Sequence, residues 1–106
     1  MAPDPKQLND LVRRILSVVT PRRIVLFGSA ARGEMGPHSD LDVLVVMPDG
    51  THRGRTTEAI YRGMWGFGFS KDIVVVTEDD VSTLRDDPYS VVHTAFREGR
   101  VLHESA

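Results

Sequence analysis

Leu8, Leu11, Val12, Ile15, Leu16 and Val19 recur at helical spacing near the start of the chain. They predict an amphipathic helix whose apolar stripe faces a core. Asp4-Pro5-Lys6-Gln7 supplies its beginning, with a cap residue, a proline at the first helical position and a Gln at the capping-box position. Thr20-Pro21 ends the pattern, and Arg22-Arg23 introduces a first strand, Ile24 to Phe27.

The Gly28 to Gly33 segment predicts a tight turn entering a short helix, and Gly36-Pro37-His38-Ser39 a loop leading to a second strand over Leu41–Met47. Pro48-Asp49-Gly50 stops that strand. Thr51 to Trp65 is read as a helix with Thr56, Ala59, Ile60 and Met64 on one face, weakened at its end by Gly63, Gly66 and Gly68. Lys71–Thr77 is a third strand by its β-branched content. Its unbroken apolar run, Ile73-Val74-Val75-Val76, is what a central strand covered on both faces would carry.

Thr77-Glu78-Asp79-Asp80 is a helix cap followed by first-turn acids. A last helix is expected from Pro88, carrying Val91, Val92, Ala95 and Phe96 and stopped by Gly99, before a short final strand over Arg100-Val101-Leu102-His103. Strands alternating with helices predict an α/β (α+β) fold, a small mixed sheet of about four strands with helices packed on it. Strand order is not legible. Residues 1–106 are expected to form one domain, without repeats or linkers.

Composition narrows the function. Hydrophobic residues make up 41% and charged residues 26%, ordinary globular values. The net charge of -2 gives no global attraction for nucleic acid, so an anionic substrate must be held by local charge or by a metal. No cysteine is present, which removes disulfides and thiolate zinc sites. No apolar run reaches membrane-spanning length, and Met-Ala-Pro-Asp-Pro lacks the features of a signal peptide, so a cytoplasmic location is expected.

The candidate chemistry lies between Gly28 and Asp42. On a strand, Asp40 and Asp42 project to one side while Leu41 points the other way into the core. Two adjacent carboxylates repel each other, and a divalent cation compensates them. Oxygen-only ligands favour Mg²⁺ or Mn²⁺, which commonly bind through one or two carboxylates together with substrate phosphates. Gly28 and Ser29, at the end of the first strand, suit the phosphates: glycine permits close backbone approach, while turn N–H groups and the serine hydroxyl donate. Taken singly, a Gly-Ser turn and an Asp-x-Asp pair are common surface features. Joined by one short helix at the ends of two apolar strands, they form a much more specific pattern.

Gly28-Ser29-x-x-Arg32-Gly33 followed by Ser39-Asp40-x-Asp42 resembles the signature of the DNA polymerase beta-like nucleotidyltransferase superfamily. The chain is similar to its smallest members, the minimal nucleotidyltransferases (MNT), from the N-terminal helix to Gly99-Arg100-Val101-Leu102. The resemblance implies a third carboxylate on a later strand. Asp72 matches that position, ahead of Asp79 and Asp80 in the helix cap, with a plain strand-edge aspartate as its bland alternative. It further implies that Asp40 and Asp42 bridge two Mg²⁺ ions and that Asp72 contacts the one near the attacking group, with a candidate role as general base. Gly28 and Ser29 would hold the triphosphate tail of ATP. Arg32 would either neutralise phosphate or brace the turn through backbone carbonyls.

The implied reaction is transfer of AMP from ATP to a protein hydroxyl. The implied partner is a HEPN-domain ribonuclease toxin carrying the acceptor tyrosine, this chain being the antitoxin. Neutralisation of the partner by contact alone is the reading from another class, and modification of a small molecule is a third. The four histidines, His38, His52, His93 and His103, have no spacing that puts two on one metal. Trp65, Phe67 and Phe69 alternate as residues packing the sheet would, or as an aromatic edge for a base or partner. Strand edges in so small a sheet leave self-association open.

Overall fold

The computed structural model describes residues 1–105. Helix α1 (Pro5–Val18) begins where the cap pattern indicates, with the Asp4 carboxylate accepting from Lys6 N–H at 2.9 Å. Then follow β1 (Arg23–Phe27), the single-turn α2 (Gly28–Ala31), β2 (Leu41–Met47), α3 (Arg53–Gly63), β3 (Lys71–Thr77), α4 (Glu78–Leu84), α5 (Val91–Glu98) and β4 (Arg100–Glu104). This is the mixed four-stranded α/β architecture expected.

The strands lie in the order β3-β2-β1-β4. β2 pairs in parallel with β3, while β1 pairs antiparallel with both β2 and β4. Alternation divides the side chains between two cores. Ile24, Leu26, Leu41, Val43, Val45, Ile73 and Val75 pack with Leu8, Leu11 and Ile15 of α1 and Ile60 of α3. Val25, Phe27, Leu44, Val46 and Val76 pack with Val92 and Ala95 of α5. Because β2 is central, its Val43-Leu44-Val45-Val46 run is buried on both faces.

Four expectations need correction. β3 is an edge strand rather than a central one; its apolar run is explained by helices over both faces, not by strands on both sides. α5 starts at a Ser90 cap, whose hydroxyl accepts from Val92 N–H, and Pro88 lies in the preceding turn. Leu16 is 40% exposed, since the buried stripe of α1 is the narrower Leu8, Leu11, Ile15 row. Trp65 is 90% exposed, because Trp65 to Phe69 form a turn and loop with no strand alternation; Phe67 and Phe69 pack partly against the core. Among the described residues no helix is long and apolar enough to cross a membrane.

Candidate active site

The ends of β1, β2 and β3 that share one edge of the sheet carry the motif residues. Asp42 is opposite Phe27 across the antiparallel pair and opposite Asp72 across the parallel pair. It therefore lies between the Gly28 turn and the third carboxylate. Asp42 shares its face of β2 with Leu44 and Val46, and Asp72 shares its face of β3 with Val74 and Val76, so both carboxylates stand on the α5 side. Leu41 faces the other core, fully buried.

Asp42 is half-buried, whereas Asp40 and Asp72 are exposed. Burial, and then the charges of Asp72 and Asp40, raise the proton affinity of Asp42 above the ordinary carboxylate value; Arg32 opposes them. Asp40 accepts a hydrogen bond from the Ser70 hydroxyl, and Leu41 N–H donates to the Ser70 carbonyl at 2.9 Å. Ser70 thus closes the β2–β3 ladder at the site.

Gly28 has φ +70°, and a Cβ there would overlap the Asp42 carboxylate. Two constraints, backbone conformation and room for Asp42, require glycine at this position. Ser29 follows on α2, its carbonyl accepting from Glu34 N–H at 2.9 Å. Arg32, the C-cap of α2, does not spend its guanidinium on turn carbonyls: Nε donates to Glu34 at 2.9 Å and Nη1 to Glu98 at 2.8 Å.

The rival carboxylates lie elsewhere. Thr77, at the far end of β3, pairs with Met47, and Asp80 closes a capping box with Thr77 while pairing with Arg53 at 2.8 Å. Asp79 N–H donates to the Asp49 carboxylate at 2.8 Å. The histidines are dispersed: His52 caps α3, His93 bonds the Arg85 carbonyl, and His103 is on β4. His38 lines a cleft of about 300 Å³ with Asp40, Phe69 and Ser70. Ser70, Glu34 and Glu98 were not singled out by sequence reasoning; no local pattern distinguishes them, and their partners lie on other segments or, for Glu34, in an irregular loop.

The donor set suits a hard divalent cation: all oxygens, two of them carried by register partners whose like charges need compensation. Among the described residues no three His, Cys, Asp or Glu side chains close into a group able to hold a metal ion. Phosphate oxygens of a substrate would complete such a shell.

The family model described as Nucleotidyltransferase domain matches residues 5–101. The chain belongs to this family. Among curated relatives, the bifunctional uridylyltransferase/uridylyl-removing enzyme of Bordetella pertussis is 37% identical over 78 residues. That match covers 71% of this chain and 9% of the relative, so the chain spans about a tenth of the length of the curated relatives it matches. In fold, it is similar to a chain of a toxin–antitoxin complex with AMP-PNP, with TM-score 0.67, 19% identity and coverage of 92% of this chain and 73% of that one. It is also similar to a chain in the complex of a tri-AMPylated Shewanella oneidensis HEPN toxin with MNT antitoxin, with TM-score 0.63, 17% identity and coverage of 94% and 71%. At these identities the likeness establishes the nucleotidyltransferase fold.

Proposed function

We propose that this family member transfers AMP from ATP to a hydroxyl of a protein acceptor, a tyrosine of a cognate HEPN ribonuclease toxin, and so acts as its antitoxin. The observation that carries the reading is the register pairing of Asp42 with Asp72 beside the Gly28-Ser29 turn. Toxin and nucleotide are drawn from the two toxin–antitoxin complexes that share the fold.

In the reaction the acceptor oxygen bonds to the α-phosphorus as the bond to the pyrophosphate oxygen breaks, and pyrophosphate leaves. Asp40, Asp42 and Asp72 would hold two Mg²⁺ ions, or Mn²⁺ in their place. Bound there, the ions would favour ionisation of the acceptor hydroxyl and neutralise charge on the departing pyrophosphate. Asp72, exposed on the edge strand, is open to the acceptor and takes its proton as general base. Gly28 and Ser29 provide donors for the triphosphate tail.

The test combines the purified chain, Mg²⁺, α-phosphate-labelled ATP and the candidate toxin. Label should move to the toxin and its ribonuclease activity should fall. Asp40→Asn with Asp42→Asn should abolish both effects. Toxin neutralised by the double variant without label transfer would replace the catalytic reading with neutralisation by contact.

A further inference from the structure

Arg32 is tethered to the Gly28-Ser29 turn by its backbone, its N–H donating to the Gly28 carbonyl at 3.2 Å. Its side chain is held from two directions. Glu34 takes Nε and Glu98 takes Nη1, two different nitrogens of one planar fork, which fixes the plane of the guanidinium. Among the described residues Nη2 makes no hydrogen bond.

The two carboxylates are not equivalent. Glu34 is two residues from Arg32 and its side chain is 60% exposed, so it moves with the loop it shares. Glu98 is 66 residues away, 20% exposed, and belongs to a docked helix. Val92 and Ala95 bury α5 against the sheet, and Gly99, the residue after Glu98, is packed so tightly that a Cβ would overlap the Ala95 carbonyl and the Val25 side chain. The backbone that carries Glu98 is thereby pinned to β1. Exposed ion pairs contribute little to stability, so stability alone does not account for this arrangement.

An unrestrained guanidinium here has a competing destination. Arg32 N–H is bonded to the Gly28 carbonyl, and Gly28 abuts the Asp42 carboxylate, so Arg32 and Asp42 flank the same turn. Folding onto Asp42 would occupy an oxygen needed for cation binding and remove a donor from the phosphate side.

We propose that Glu98 is a positioning residue that holds Arg32 off the carboxylate cluster and keeps its Nη2 edge turned to the phosphate tail of a bound nucleoside triphosphate. This rests on the nucleotidyl-transfer reading above. Glu98 touches neither substrate nor reacting atoms; it acts through Arg32 by lowering the reorganisation that phosphate binding requires.

The test measures binding of the Mg²⁺ complex of an α,β-methylene ATP analogue by calorimetry, using the full chain and the variants Glu98→Ala, Glu98→Gln, Arg32→Ala and Glu98→Ala with Arg32→Ala. Glu98→Ala should weaken binding about tenfold, the scale of one misplaced charge-assisted hydrogen bond. The double variant should lose no more than Arg32→Ala alone, because both changes remove one contact. Glu98→Gln, which keeps an acceptor of the same reach, should fall between wild type and Glu98→Ala. Wild-type affinity in both Glu98 variants, or losses that add in the double variant, would overturn the positioning role and leave the nucleotidyl-transfer reading standing. A wild-type chain that does not bind the analogue would overturn both.

Discussion

Asp42 of the central strand β2 and Asp72 of the edge strand β3 are register partners in a parallel ladder, so two carboxylates occupy adjacent positions on one face. Like charges placed directly across a pair of strands are destabilising. The arrangement therefore costs the metal-free fold stability, a feature expected of a site whose compensating charge arrives with substrate.

Asp42→Asn should accordingly stabilise the metal-free protein at neutral pH by about 0.2–1 kcal/mol, the scale of a cross-strand pair, while removing transfer activity. The sign follows from the proton affinity. Burial, Asp72 and Asp40 raise it in the folded state, so folding is favoured when Asp42 is protonated and loses that advantage as pH rises through the window above the ordinary carboxylate range. Thermal melts in EDTA should show the variant's gain at pH 7 and its disappearance near pH 3. Activity should fall on the order of 10³-fold, since several kcal/mol of charge stabilisation would be lost.

Gly28→Ala tests the cradle around Asp42. A left-handed φ costs a non-glycine residue about 1–2 kcal/mol, and overlap with the Asp42 carboxylate adds to it. In an Asp42→Ala background the carboxylate is gone and only the backbone cost should remain. A double-mutant cycle by urea denaturation should therefore give a positive coupling between the two positions. Equal costs in both backgrounds would show that Asp42 can move aside.

The motif was legible because it is local. Gly28, Ser29, Asp40 and Asp42 lie within fifteen residues, and strand alternation alone separates Asp42 from the buried Leu41. The Asp4, Thr77 and Gly99 helix boundaries were legible for the same reason. What stayed hidden depends on distant segments. An apolar run such as Ile73–Val76 reports two covered faces but not whether a strand pairs on each side, so by its sequence the edge strand β3 reads as a central one. Trp65 shows the reverse error: alternating aromatics imply a buried face only where the backbone is extended, and glycines with φ near +80° at 66 and 68 turn it. Glu98 and Ser70 meet their partners through tertiary contacts that no local period encodes.

At the other end of β3 Asp80 has a structural part to play. The Thr77 N–H first, and then the Arg53 charge, hold its proton affinity below the ordinary carboxylate value. Asp80→Ala removes the acceptor of the Thr77 N–H, the reciprocal half of the capping box, and should cost about 0.5–1.5 kcal/mol, as loss of one hydrogen bond does, with transfer activity unchanged. Because the folded-state value is depressed, Asp80 contributes stability above the ordinary carboxylate range and loses it as pH falls through the depressed value. The gap between wild type and variant in chemical denaturation should thus narrow below about pH 4, near the unfolded carboxylate value.

Tyr61 guards the strand that carries Asp72. Its hydroxyl accepts the Ile73 N–H at 2.9 Å, and Asp80 accepts the Thr77 N–H at 3.0 Å, so two outward donors of this edge strand are satisfied by side chains. Tyr61→Phe removes the first of them and should cost about 0.5–1.5 kcal/mol. The loss should be local, appearing as faster hydrogen exchange at Ile73 while the α1 amides near Leu11 keep their protection. Because Ile73 adjoins Asp72, the loosened strand end should also lower the rate of label transfer more than it weakens nucleotide binding. Exchange at Ile73 unchanged by the substitution would mean that water replaces the hydroxyl without loosening β3, and transfer should then proceed at the wild-type rate.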